Sequence, residues 1–282
     1  MNQELINYLF NTRAIRVCPK DKPFWYTSGK IGPYYVNTHF LYGSEEKANL
    51  FLEEIDGIKD DKLNCSEAFH RTTKENYLID PVYKGTIDLL AEYIEKHINV
   101  DEVDYVSGGE RRDWFFSFII ADILDKPHIT LFKDMTSVIY HKGKSYEKDN
   151  LEGASVLHIA DLITSASSYE RAWVPAIERI NGKMKWSAVI VDRLQGGSDI
   201  LKNLGVESHA LVFINHEIFV QANKKGHIDD SQLKLVLDYI EDPERFMENF
   251  LLTHPGFLEE SLKEGGKIAE RARLLMEMLN KK

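Results

Sequence analysis

Val156-Leu-His-Ile-Ala-Asp-Leu-Ile-Thr-Ser-Ala-Ser-Ser168 is an apolar run that stops at Asp161 and gives way to small hydroxyl residues. Glu170-Arg-Ala-Trp-Val-Pro-Ala-Ile-Glu-Arg-Ile180 follows with the spacing of a helix. The order is strand, short polar loop, helix. A helix leaves the N–H groups of its first turn without partners, and its dipole places partial positive charge there. A loop rich in Thr and Ser at that point is a natural cradle for phosphate, and Asp161 at the carboxyl end of the strand can hold the hydroxyls of a sugar. An ordinary buried strand followed by a Ser/Thr N-cap would read the same way.

The pattern repeats on both sides of this stretch. The sequence predicts strands over 103–107, 128–133, 156–160, 186–192 and 209–214, and helices over 114–124, 168–180 and 198–204, with Gly182 just past the second helix. Strands alternating with helices imply an α/β fold with a central, mostly parallel sheet and helices on both faces. Ligands of such sheets bind at the carboxyl ends of the strands. Upstream, Leu5, Ile6, Leu9 and Phe10 predict a helix over 2–16, and 23–42 is aromatic and β-prone with a Gly-Pro break at 32–33. A helix is expected over 45–58, a polar irregular stretch over 59–77, and a helix over 81–97 with Asp80 as N-cap and Pro81 in its first turn. The segment 134–153 reads as a polar loop. From about Asp229 the alternation stops, and helices are expected over 231–240, 243–252, 255–262 and 267–279. There is no internal repeat and no low-complexity linker.

Four segments carry a resemblance. The 156–168 stretch resembles the phosphoribosyl-diphosphate (PRPP) loop of type I phosphoribosyltransferases, where two acidic residues precede a Thr-Thr-Gly-Gly-Thr-like turn. Here Ala160 stands at the first acidic position and Asp161 at the second. Phe24-Trp-Tyr-Thr-Ser-Gly-Lys-Ile-Gly-Pro-Tyr-Tyr-Val-Asn37 resembles the N-terminal segment of orotate phosphoribosyltransferases, in which Ser-Gly-Arg-x-Ser-Pro-Tyr is typical. Val106-Ser-Gly-Gly-Glu-Arg-Arg-Asp-Trp-Phe115 falls where that family has its pyrophosphate loop, and Ala188-Val-Ile-Val-Asp-Arg-Leu-Gln-Gly-Gly197 resembles its late strand and Asp-Arg-x-x-Gly turn. Order and rough spacing match over about residues 5–215. The resemblance implies a type I phosphoribosyltransferase core over 1–215, including an N-terminal hood segment, and a mostly helical C-terminal extension over 216–282.

It also implies roles. Thr164, Ser165, Ala166, Ser167 and Ser168 would bind the 5-phosphate of PRPP, with Ala166 in place of a usual glycine, so that the backbone comes less close to the phosphate. Asp161 would meet the ribose hydroxyls and steady the charged ribose. Arg111 and Arg112 would fork onto the pyrophosphate; paired instead with Glu110 and Asp113, they would be surface salt bridges. Lys133 falls on the lysine of the family's Arg-Lys pair, with Phe132 replacing the arginine. The 134–153 loop would be a mobile catalytic flap carrying His141, Lys142 and Lys144, or else a solvated polar loop. Arg193 would face the carboxylate of the base, Tyr35 and Val36 would pack on it, and Lys30 stands where many relatives carry Arg, with Thr27 in place of a lysine. For Arg193 the plainer alternative is a turn-stabilising pair with Asp192 or Asp199.

The implied reaction is orotate plus PRPP to orotidine 5′-phosphate and pyrophosphate, a step of pyrimidine nucleotide biosynthesis, with Mg2+ held mainly by PRPP oxygens and water and no protein metal ligand. A homodimer is implied as well. A non-catalytic homologue that binds PRPP or a nucleotide as a regulator, or a phosphoribosyltransferase for another base, fits the altered loop. Composition is consistent with small-molecule substrates. The chain has 282 residues, 43% hydrophobic and 28% charged, with 35 Lys+Arg against 45 Asp+Glu and a net charge of −10. That acidity argues against a nucleic-acid binder but not against a phosphate ligand, because cations inside a cleft outweigh global charge. No apolar run approaches the roughly 20 residues of a membrane span, and the N-terminus has no signal-peptide pattern. Cys18 and Cys65 are unclustered, the histidines lack zinc spacing, and a reduced cytoplasmic setting follows most simply.

Overall fold

The structure, a computed structural model, describes residues 3–280. Residue 2 of the expected N-terminal helix and residues 281–282 of the expected extension lie outside it. In chain order it contains helix α1 (Gln3–Asn11), strands β1 (Ile15–Val17), β2 (Phe24–Trp25), β3 (Ile31–Gly32) and β4 (Tyr34–Val36), and a 3-10 helix (Thr38–Tyr42). Next come α2 (Glu45–Ile58), α3 (Lys62–Ile79), α4 (Pro81–His97), β5 (Tyr105–Gly109), α5 (Trp114–Ile123), β6 (His128–Leu131), β7 (Ser137–His141), β8 (Lys144–Tyr146) and β9 (Ser155–Ile163). A π-helical turn (Tyr169–Trp173) leads into α6 (Val174–Arg179), followed by β10 (Lys183–Asp192), α7 (Gly197–Asn203), β11 (Glu207–Phe213), α8 (His216–Lys224), α9 (Asp230–Glu241), α10 (Pro243–Thr253), α11 (Phe257–Glu264) and α12 (Gly266–Asn280). No helix among the described residues is long and apolar enough to cross a membrane.

The chain divides into two units. The first comprises residues 1–14 and 38–214, the second residues 15–37 and 215–282. The first is built on a seven-stranded sheet of order β11-β10-β9-β5-β6-β7-β8. Its five strands from β11 to β6 are parallel, and β7 and β8 add antiparallel at the edge. Successive residues of a strand face opposite sides of a sheet, and the glycines of β5 show what covers each side. A Cβ at Gly108 would lie 2.2 Å from Ser117 Oγ on α5, and one at Gly109 would lie 2.3 Å from the Trp173 ring. Helices therefore press on both faces of β5, which only glycine permits.

Three local expectations are corrected. The stretch 59–77 is not irregular: Lys62–Ile79 is an 18-residue helix. Its inner face is Cys65, Ser66, Phe69, Thr73 and Asn76, mostly small and polar, so an apolar-periodicity reading misses it. Phe69 is fully buried and stacks on Trp114 with ring centroids 5.2 Å apart, and Ser66 Oγ meets Thr130 Oγ1 at 2.9 Å. The stretch 134–153 is not simply a polar loop, because β7 and β8 form a hairpin inside it. Val138, Ile139 and Tyr140 are buried, and Lys142 (φ 49°) and Gly143 (φ 78°) make the two-residue left-handed turn that hairpins favour. Finally, β9 runs on to Ile163, so Asp161 lies within the strand.

In the second unit, β1 pairs antiparallel with β4 and β2 with β3. These strands are two or three residues long and cannot bury their aromatic side chains by themselves. The C-terminal helices do it: Trp25 stacks on Phe257 at 5.4 Å, and Tyr34 meets Phe219 and Tyr239 at 5.2 and 5.6 Å. Arg271 donates to the Trp25 carbonyl at 2.9 Å. Residues 15–37 thus group with the C-terminal helices, a grouping that a linear division at residue 215 does not describe. Helix α8 was also not anticipated.

If α3 is a structural helix anchored by Phe69, Phe69→Ala should cost about 3–5 kcal/mol, the range for removing a buried aromatic ring. Equilibrium denaturation measures this; a cost below about 1 kcal/mol would place the segment outside the core.

Candidate active site

Along the sheet the chain steps from β5 outward to β6 on one side and, later, from β9 outward to β10 and β11 on the other. The reversal lies between β5 and β9, which is where an open parallel sheet leaves a crevice at its carboxyl end. The ladder shows the opening. Tyr105, Val106 and Ser107 pair with Val156, Leu157 and His158, and no further residues of the two strands pair. Beyond them lies a cavity of about 260 Å³. Glu110, Arg111, Arg112 and Asp113 line it from the turn after β5, Lys133 from the turn after β6, and Asp161, Thr164, Ala166, Ser167 and Ser168 from β9 and its loop, with Tyr169 and Trp173 behind.

The structure thus brings together Asp161, most of the 164–168 loop, both arginines and Lys133. Ser165 is exposed and does not line the cavity. Ala166 takes φ 52°, the left-handed conformation a glycine would adopt. This costs an alanine about 1–2 kcal/mol. Its methyl group is buried against the core that includes Ile163, Tyr169 and Trp173, which offsets part of that cost. The alanine has therefore not abolished the turn. Backbone N–H groups at the start of the following helix lack intrahelical partners and stand beside the exposed Ser167 and Ser168.

The cations differ in their ties. Arg111 is paired with Asp56 of α2. Glu110 Oε1 lies 3.1 Å from Lys59 Nζ and 3.8 Å from Lys133 Nζ, and Glu110 Oε2 accepts the Lys133 N–H at 3.1 Å. Arg112 is exposed and has no ion pair among the described residues, so the alternative pairing of both arginines with Glu110 and Asp113 is not what forms. The field of the two arginines reaches His39. Burial first, then Arg112 and Arg111, push its imidazole down to about 3.

Asp161 is 7% exposed, and its Oδ2 has no hydrogen-bond partner among the described residues. Burial, reinforced by the charge of Asp113 and eased by Arg112, pushes its carboxyl up to about 7. Pattern reading passed over Asp113, Tyr169 and Trp173, which line the cavity, and His158, which stands next to Asp113. His158 is fully buried on β9, with Nδ1 2.9 Å from Ser107 Oγ and Nε2 3.5 Å from Asp113 Oδ2. Tyr169 meets Ser187 Oγ at 2.6 Å. The available signal was a polar residue, His158, in the middle of an apolar run.

His141, Lys142 and Lys144 are not brought to this cavity. They sit at the β7–β8 turn, where Lys142 pairs with Asp125 at 3.3 Å, and His141 and Lys142 line a different cavity with His70, Asp122 and Tyr140. The left-handed turn fixes that placement. Arg193 donates its backbone N–H to the Ile163 carbonyl at 3.0 Å, which sets the 193–197 turn against the 164–168 loop. Both carboxylate oxygens of Asp192 are occupied, by the Leu194 N–H at 2.7 Å and Ser198 Oγ at 2.6 Å. Lys30, Tyr35 and Val36 belong to the second unit. There Lys30 pairs with Glu244, Arg16 lies over the Tyr35 ring at 6.0 Å, and Val36 pairs with Ile15.

No protein-family model matches the chain. Over 93 residues, 32% of this chain, it is 36% identical to an orotate phosphoribosyltransferase of Saccharolobus solfataricus, and the match spans 46% of that relative, about half its length. An orotate phosphoribosyltransferase of Sulfolobus acidocaldarius is 23% identical over 218 residues, 77% of this chain and 88% of the relative. The crystal structure of orotate phosphoribosyltransferase from Aeropyrum pernix superposes with a TM-score of 0.51 at 16% identity, covering 79% of this chain and 99% of that one. That likeness is one of fold.

The raised Asp161 carboxyl carries a pH signature. Between the ordinary carboxyl value of 3.8 and about 7, the folded chain holds a proton that the unfolded chain has released. The stability contribution of this group is therefore present at low pH and lost as pH rises through that window. Asp161→Asn removes the loss. The margin by which its melting temperature exceeds that of the wild type should grow from about pH 4 to about pH 7. A difference that stays constant across this range would show that the carboxyl titrates normally.

Proposed function

We propose that this chain, a divergent member of the type I phosphoribosyltransferase family, binds PRPP in the cavity between the ends of β5 and β9 and transfers its ribose 5-phosphate to orotate. The observation that carries the reading is that Asp161, most of the 164–168 loop and the unpaired Arg112 line one cavity at the topological switch point. In this reading the loop and the first N–H groups of the following helix hold the 5-phosphate. Asp161, with its unpartnered Oδ2, accepts from the ribose hydroxyls and faces the positive charge that grows on the ribose ring as the bond to pyrophosphate breaks. Arg112 meets the departing pyrophosphate. Most of the catalytic gain comes from positioning and preorganised charge.

Among the described residues no group of three or more His, Cys, Asp or Glu side chains could hold a metal ion. A Mg2+ ion arriving with PRPP would be held by its oxygens and by water. When bound, the ion neutralises the leaving pyrophosphate. Arg193 is proposed to face the orotate carboxylate, where a planar guanidinium suits the geometry; Tyr35 and Val36 are proposed as base contacts. A homodimer and a role in pyrimidine synthesis complete the proposal. Two observations favour a second reading, a different base: Lys30 is already engaged by Glu244, and Thr27 stands where many relatives carry a lysine.

Incubation with PRPP, Mg2+ and a panel of bases tests the reading through pyrophosphate release. Orotate-dependent release is expected. Release with another base alone would overturn the assignment of orotate, and tight PRPP binding without release would leave a regulatory protein. Arg112→Ala should weaken PRPP binding by roughly 2 kcal/mol, the scale of stranding a charged partner, as titration calorimetry would measure; an unchanged Kd would return Arg112 to a surface role.

Arg193→Ala separates recognition from structure. Orotate affinity should fall while PRPP affinity stays, because the substrate carboxylate is left unpaired. A general drop in melting temperature with no selective loss for orotate would instead make Arg193 a turn-holding residue.

A further inference from the structure

Asp113 stands at the N-cap position of α5, yet its side chain makes no cap hydrogen bond. It turns instead toward the sheet. Asp113 Oδ2 accepts the Gly109 N–H and Oδ1 accepts the Asp161 N–H, both at 3.1 Å. These two amides lie past the last paired residues of the β5–β9 ladder, Ser107 and His158. There the strands part, and each would otherwise present an unsatisfied N–H to the opening. One carboxylate thus takes the place of the missing rungs. His158 stands behind it, anchored by Ser107 at 2.9 Å, with Nε2 3.5 Å from Asp113 Oδ2.

We infer that Asp113 is a positioning residue: by tying the end of β5 to β9 across the opening, it holds Asp161 at the mouth of the PRPP cavity. This rests on the reading of Asp161 as the group that meets the ribose. Asp113 is itself buried, at 8% exposure, at the edge of the cavity lining, and its two hydrogen bonds act on the strand backbones. Its charge adds to burial in favouring the protonated form of Asp161, against the pull of Arg112. Tyr169, from the following helix, feels the charges of Asp113, Asp161 and Asp192, His158 lies on the same strand as Asp161, and Glu110, Arg111 and Lys133 line the same cavity. Asp113 is the acidic neighbour whose carboxylate directly holds the Asp161 backbone. The same carboxylate that fixes the place of Asp161 therefore also keeps it near the point of titration at neutral pH.

The test compares PRPP binding from about pH 5.5 to 8.5 in wild type, Asp161→Asn and Asp113→Asn by titration calorimetry, with Mg2+ present. The wild type should show a change in affinity near neutral pH that Asp161→Asn lacks. In Asp113→Asn the midpoint should move down by about 1 pH unit or more, the scale of removing a like charge, and affinity at the alkaline end should fall at least tenfold. A purely structural role would lower affinity or stability and leave the midpoint in place, and that result overturns the inference. Should Asp113→Asn fail to fold, amide hydrogen exchange in the wild type decides instead. The Gly109 and Asp161 amides should exchange as slowly as the paired amides of β9, whereas exchange at the rate of the Ser165 loop amide overturns the inference. Absence of PRPP binding by the wild type at every pH would reject the functional reading itself, and with it the role of Asp113 in that reading; slow exchange of the two amides would still show the strand tie.

Discussion

The parting of β5 from β9 is the constraint on which the site depends. Parallel strands must satisfy every backbone N–H and C=O along the ladder, and here the ladder between these two strands ends at Ser107 and His158. On the outer sides the pairing continues: Gly109 pairs with Leu131 of β6, and Leu162 with Val191 of β10. The two strands are thus held from outside and free to diverge from each other. The opening is lined by the turn after β5 and by the last residues of β9, so the arginines and Asp161 meet without being near in sequence.

Close packing on both faces keeps that opening in one shape. Gly108 and Gly109 admit α5 and Trp173 to within contact of the β5 backbone. Trp173, Tyr169 and Ala166 belong to the same buried cluster as Ile163 and Val189, so the 164–168 turn is fastened to the core by its own side chains. Interiors packed at this density do not deform smoothly, which is how an alanine can be held at a positive φ. Within the second unit the same logic operates on a smaller scale, with Trp25 and Ile31 packed against Met247, Phe250 and Leu275.

Burial also sets the electrostatics. A carboxylate in such surroundings is expensive unless paired, and Asp161 is next to another acid and only eased by Arg112. Functional sites gather groups of this kind. Arg111, Glu110, Lys59 and Lys133 neutralise one another and Asp56 around the rim, leaving Arg112 as the cation without an ion pair among the described residues lining the cavity.

Much of this was legible in the residues. The run from Val156 to Ala160, the hydroxyl cluster after it and the 3.6-residue spacing beyond are local patterns, and they define strand, loop and helix because side-chain periodicity follows backbone geometry. Asp80 with Pro81 marked the start of α4, and the alternation of apolar segments gave the parallel sheet. What stayed hidden was non-local. Helix α3 buries Ser66, Thr73 and Asn76, polar residues whose partners come from other elements. The β7–β8 hairpin draws its stability from pairing with β6, which moves His141 and Lys142 away from the cavity. Asp113 looks like an N-cap until the strands are seen to part beside it. The sequence alone determined the alternating strands and helices of the central sheet, because apolar periodicity depends on neighbours along the chain. Which acids and cations face one another, and which carboxyl is pressed toward neutrality, was decided only by the tertiary structure, since burial and charge proximity depend on residues brought together from distant segments.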